Sequence, residues 1–201
     1  MEKNIFVSAD WKDDFANSLS DDKIVVDRIR TWSNSANYGV NFRYTDAVHK
    51  SVLNPNNPDC RRCDIKSECE HQIEWSSIVI IVIGDKTKTK GSGACDGQAC
   101  SPAESWKPKV PCKLVHATAG QKTNVVYYAE SYLEHEIRIA LTLKKKIILV
   151  FNSVNVMTDW IPKFYLLEIV KNPDLELCRV PFWQDVRGGR DCYSIIKNYL
   201  Q

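Results

Sequence analysis

The run "SIVIIVIG" at residues 77–84 places six consecutive branched apolar residues, Ile78 to Ile83, between small or polar neighbours. A strand sends successive side chains to opposite faces, so this one is apolar on both and must be covered on both. It is of strand length and far too short to span a bilayer. The segments around it alternate in kind. "NIFVSA" (4–9) reads as a strand, and Ser20 can cap a helix that opens with Asp21 and Asp22 and continues through "KIVVDRIRTW". "VNFRY" (40–44) alternates as a half-buried strand does. A helix over 129–143 is followed by the strand "KIILVF" (146–151) and by a helix over 161–171 with Pro162 in its first turn. "CRVPFW" (178–183) reads as a strand with an edge-type proline, and 190–200 as a terminal helix. This order predicts an α/β domain with an open, doubly wound parallel sheet and helices on both faces. Ligands on such sheets bind at the C-terminal ends of the strands, which points to the loops after Val7, Tyr44 and Ile83.

Composition narrows the function classes. The 201 residues suffice for a single α/β domain, with 44% hydrophobic and 26% charged residues. A net charge of +2 makes no electrostatic case for nucleic acid or a membrane surface. "MEKNIFVSAD" lacks the apolar core of a signal peptide, so a cytoplasmic location is expected. There, the eight cysteines are expected as thiols or metal ligands rather than disulfides.

Residues 54–71 and 85–124 depart from the alternation and read as insertions carrying cysteines and prolines. Cys60, Cys63, Cys69 and His71 have the ligand types and compact spacing of a structural zinc site. Cys95, Cys100, Cys112 and His116 form a second set, alone or sharing ligands with the first. Free thiols, an iron–sulfur cluster or disulfides formed on oxidation are the alternatives. Cys178 and Cys192 read as ordinary buried residues. "GSGACDG" is off register for a dinucleotide-binding fingerprint and opens no helix, so it reads as a flexible loop.

The helix over 129–143 carries the one local contradiction. Ala129, Tyr132, Leu133, Ile137, Ile139, Ala140 and Leu143 gather on one side, and Ser131, Glu134, His135, Arg138 and Thr142 on the other. Glu136 falls near the middle of the apolar stripe. Either it pairs with a core arginine, or it reaches solvent past the stripe edge, or it is functional. His135, on the polar face, is expected to point away from it. The four histidines are too scattered for a catalytic set. Ser8 is a nucleophile only with a neighbouring base, and the sequence places none beside it.

Three segments resemble the TIR and TIR-like family: "IFVSADWKDD" its opening strand and first loop, "SSIVIIVIGDKT" its third strand, and "YLEHEIRIALTLKKKIILVF" its third helix and fourth strand. Similarity is greatest to the bacterial TIR-like group that includes the ThsB-type sensors of Thoeris anti-phage defence. The resemblance implies a flavodoxin-like fold with a five-stranded parallel sheet. It implies that Glu136 is the catalytic glutamate of NAD cleavage, with Tyr132 one turn earlier where many relatives carry tryptophan. It also implies substrate contacts from Phe6, Ser8, Asp10 and Trp11 of the first strand and loop, and from Asp46 after the second strand.

On that resemblance NAD is the substrate. Cleavage of its nicotinamide–ribose bond passes through an oxocarbenium-like transition state, which a fixed carboxylate stabilises. Nicotinamide leaves neutral, so one carboxylate is enough. The product is an ADP-ribose-derived signal, cyclic or conjugated according to the acceptor, read by a separate effector protein. A phage-derived trigger and a homo-oligomer are the further partners expected. The alternatives are a non-catalytic interaction module of the same fold, whose insertions contact partners, and a nucleoside-modifying transferase built around a glutamate.

Overall fold

The computed structural model describes residues 3–9, 21–34, 42–46, 61–85, 87, 99–100, 110–111, 131–184 and 189–200. The main sheet is built from β1 (Lys3–Ser8), β2 (Phe42–Asp46), β3 (Ile78–Ile83), β4 (Lys146–Phe151) and β5 (Glu176–Pro181). All its pairings are parallel and the order is β2-β1-β3-β4-β5. The helices are α1 (Asp21–Asn34), α2 (Arg61–Trp75), α3 (Tyr132–Thr142), α4 (Lys163–Lys171) and α5 (Arg190–Leu200). The chain leaves β1 for β2 on one side and returns past β1 to β3 on the other. That reversal creates a switch-point crevice beyond the C-terminal ends of β1 and β3.

The β3 run does what its composition requires. Ile78, Ile80 and Val82 join one core with Val25, Ile29 and Trp32 of α1 and Ile196 of α5. Val79, Ile81 and Ile83 join the other with Ile73 of α2, Leu133, Ile137 and Ala140 of α3, and Tyr165 of α4. Every residue of β3 is buried. Full burial of each such side chain contributes on the order of 1.5–3 kcal/mol before the entropy of ordering is subtracted. Aromatic packing closes the far edge of the first core, where the Trp32 ring lies 6.2 Å from Phe182 and 5.2 Å from Tyr193.

The largest departure from the sequence reading is α2. Residues 54–71 were expected to form an insertion, yet 61–75 are helical and make the crossover between β2 and β3. Among the described side chains of α2, Lys66, Cys69 and Ile73 are buried, at helical i, i+3, i+7 spacing. Lys66 and Cys69 are not apolar in the usual sense, so a search for apolar periodicity passes over them. Within 85–124, the backbone of Ala99–Cys100 pairs antiparallel with Val110–Pro111, and most of the remainder lies outside the described residues. Helix α3 is shorter than 129–143, and Ala129 lies outside the described residues. The last strand is displaced towards the N-terminus of 178–183, leaving Phe182 and Trp183 in the turn beyond it. Pro181 ends an edge strand, where its missing N–H costs no ladder bond.

Candidate functional site

Helix α3 begins with a capping box. The Ser131 Oγ accepts from the Glu134 N–H at 3.1 Å, and Glu134 Oε2 accepts from the Ser131 N–H at 2.9 Å. This reciprocal pair satisfies two donors that the first turn leaves open and fixes where the helix starts. It also assigns Glu134. The carboxylate still to be explained is Glu136, one turn inside the helix and 3% exposed.

Three elements converge on that carboxylate. Alternation along β1 sends Ile5 and Val7 to the α1 face and Phe6 and Ser8 to the α3 face. Ser8, at the C-terminal end of β1, donates its hydroxyl to Glu136 Oε2 in a buried hydrogen bond. From α2, the buried Cys69 joins the core on which α3 packs. Burial, and then the adjacent Glu136 charge, push that thiol well above the ordinary cysteine range, so it stays protonated. A buried carboxylate is costly unless hydrogen bonds replace its hydration, and the Ser8 hydroxyl supplies part of that replacement. Ser8, which sequence alone left without a base, has Glu136 as its neighbour.

The other expected residues fall in different places. Phe6 is fully buried in the core beneath the site rather than at its surface. Tyr132 is half-buried, one turn before Glu136. Asp46 ends β2, in register with Val7 of β1, and therefore lies at the same C-terminal edge. Asp10 and Trp11 lie outside the described residues. His135 corrects the expectation of an outward side chain: it is 1% exposed, with Nε2 3.1 Å from Glu70 Oε1. Helix α2 packs over that side of α3, and its presence there was not expected from the sequence.

The two cysteine–histidine sets do not assemble among the described residues. Cys60 lies outside them, and Cys63 is in the first turn of α2. Cys69 is buried, whereas His71 is exposed. Residues two apart on a helix point about 200° apart, so α2 presents these two to different surroundings. Of the second set, Cys100 is in the short antiparallel pair, and Cys95, Cys112 and His116 lie outside the described residues. No group of three or more His, Cys, Asp or Glu that could hold a metal ion occurs among the described residues. Cys192 is buried in the first core; Cys178 packs against it, and burial pushes its thiol up to about 11.

Sequence reasoning missed the burial of Cys69 and Lys66. The Lys66 side chain is 1% exposed, one turn before Cys69 on α2. Their three-residue spacing ahead of Ile73 was the available signal.

A second polar cluster occupies the same edge on the other side of the sheet. Asp22, in the first turn of α1, accepts from Asn152 Nδ2 at 2.9 Å. Asn152 follows β4, and its Oδ1 accepts from Trp183 Nε1 at 2.6 Å. Gly84 follows β3, and a Cβ there would lie 2.3 Å from Asp22 Oδ1. This cluster ties the ends of three strands to one helix.

No helix of the described residues is long and apolar enough to cross a membrane. A scan of protein-family models and a search of curated proteins find no match to this chain.

Proposed function

We propose that the chain is a TIR-like enzyme that cleaves the nicotinamide–ribose bond of NAD, with Glu136 as the catalytic carboxylate. The observation that carries this reading is the buried hydrogen bond from Ser8 to Glu136 at the C-terminal end of β1. It joins the helix glutamate to the first strand at the switch point of the sheet, where ligands of open α/β folds sit. Both residues are those that the resemblance to NAD-cleaving TIR domains nominates.

In this reading the ribose C1′ of NAD lies against Glu136. As the bond to the nicotinamide nitrogen lengthens, positive charge grows on the sugar and the carboxylate stabilises it. A site with little water strengthens that interaction. The bonding electrons leave with nicotinamide, which departs neutral and needs no acid. Ser8 holds the carboxylate against rotation while the charge develops. Tyr132, one turn earlier on α3, flanks the substrate. Water or a hydroxyl of the substrate then captures the sugar cation, and the resulting nucleotide signals to a separate effector in anti-phage defence.

The test is incubation of the full chain with NAD, alone and with infected-cell extract, while nicotinamide is measured. Release by wild type and loss in Glu136→Gln are expected. No release under either condition would count against the enzyme. A second reading, a non-catalytic interaction module, draws on the exposed Leu167 and Val170 of α4, at 67% and 79% exposure. In that case Glu136→Gln leaves nicotinamide at background in both proteins.

A further inference from the structure

We propose that Ser8 is itself an acceptor for the sugar cation: with Glu136 as its base, its hydroxyl takes the ADP-ribosyl group of NAD, and the chain modifies itself. This rests on the reading above, since the cation arises only where NAD is cleaved at Glu136.

A serine hydroxyl is a weak nucleophile until a base takes its proton, and local sequence places no base beside Ser8. The fold supplies one. Ser8 is the last residue of β1, and its hydroxyl donates to Glu136 Oε2 in a buried hydrogen bond. A hydroxyl within hydrogen-bond reach of a carboxylate is the nucleophile-and-base arrangement of covalent catalysis. Among the described residues, the other buried serines serve the backbone: Ser76 donates to the Ile73 carbonyl and Ser131 caps α3. Ser8 and Glu136 are 1% and 3% exposed. A sugar cation formed against Glu136 therefore lies beside a fixed hydroxyl where water has little access, and proximity favours capture by the hydroxyl.

The step balances without a further reactant. The bond between C1′ and the nicotinamide nitrogen breaks, and its electron pair leaves with nicotinamide. A lone pair on Ser8 Oγ forms the new bond to C1′, and the Ser8 proton passes to Glu136 along the hydrogen bond already present. The products are neutral nicotinamide, protonated Glu136 and a serine O-linked to ADP-ribose. The attached nucleotide occupies the place of the next NAD, so this branch ends turnover in the molecule that takes it. Water and Ser8 compete for one cation, and their ratio sets how much signal a chain makes before it stops.

The experiment is intact-mass spectrometry and peptide mapping of the full chain after incubation with NAD, alone and with infected-cell extract, with nicotinamide measured in the same samples. Wild type is expected to gain the mass of one ADP-ribose unit, mapped to Ser8. The adduct should survive neutral hydroxylamine, as a serine glycoside does and an ester on Glu136 does not. Glu136→Gln and Ser8→Ala, recovered from the same samples, are expected to lose it. Should a thermal melt show Ser8→Ala unfolded, the site mapped in wild type decides. Nicotinamide release is expected to slow as the modified fraction grows, and steady release from fully modified protein would overturn the proposal. Release with no adduct overturns it and keeps the enzyme. So does release with an adduct that hydroxylamine removes or that maps to another residue. An adduct on Ser8 in Glu136→Gln overturns it as well, because the transfer then does not use this carboxylate. Neither release nor adduct under either condition removes the enzyme and self-modification together.

Discussion

Among the described residues, two carboxylates are buried at the C-terminal edge of this sheet, one on each face, and their surroundings differ in kind. Asp22 is tied into a chain of committed hydrogen bonds through Asn152 to Trp183, with Gly84 pressed against its oxygens. Glu136 accepts a buried hydrogen bond from the Ser8 hydroxyl at the end of β1. The Asp22 cluster binds the ends of β3, β4 and β5 to α1, where a staple is useful and a substrate would have to break it. Glu136 lies near the switch point between β1 and β3, joined to the end of β1 by Ser8. Burial of a carboxylate therefore does not by itself mark a catalytic group; its place in the sheet and its measured role separate the two.

The comparison breaks most directly at Glu136. Glu136→Gln keeps an acceptor for Ser8 and removes the charge. Nicotinamide release is expected to fall by about 100-fold or more, the scale of losing one preorganised electrostatic contact in a transition state, with the melting temperature nearly unchanged. A large fall in melting temperature with activity retained would make Glu136 a staple like Asp22.

At the other cluster the expected loss is in stability. Gly84→Ala puts a methyl group 2.3 Å from Asp22 Oδ1, and Asp22 cannot retreat without releasing Asn152. A destabilisation of about 1–3 kcal/mol is expected from chemical denaturation. Combined with Asp22→Ala, the same substitution should cost clearly less than the sum of the two. Additive costs would mean that the two residues do not press on each other.

Alkaline pH sharpens the contrast from the side of Cys69. Its thiol is raised in the folded protein above the ordinary value of 9.0, chiefly by burial and then by Glu136. The unfolded chain therefore gives up this proton at a lower pH than the folded one. The contribution is fully present below 9.0 and is lost as pH rises beyond it, at up to about 1.4 kcal/mol per pH unit. Cys69→Ala should flatten the fall in stability between roughly pH 9 and 10.5. Identical slopes for the two proteins would place the thiol in solvent. The smallest effect is expected at the cap: Ser131→Ala should cost about 1 kcal/mol and loosen the turn that carries Glu136. Faster amide exchange confined to the start of α3 would show it.

Much of the frame was legible in the residues. Apolar residues at every position of β3 demanded cover on both faces, and the alternation of strands and helices ordered the domain around it. The helix wheel isolated Glu136 because periodicity reports which face of an element is apolar. The same wheel misread His135, since the wheel cannot know that a second helix covers a polar face. It passed over α2, where Lys66 and Cys69 are buried without being apolar in the usual sense. The capping box was written in Ser131 and Glu134 and needed no tertiary information, but it became decisive only when it released Glu136 from that duty.

By itself, then, the sequence determined the alternation, the central strand and the position of one misplaced carboxylate, because these follow from local spacing and side-chain polarity. The tertiary structure decided what that carboxylate touches. Ser8, which donates to it, lies 128 residues away in sequence. Such contacts depend on how elements pack across a shared core, and no spacing within one element encodes them.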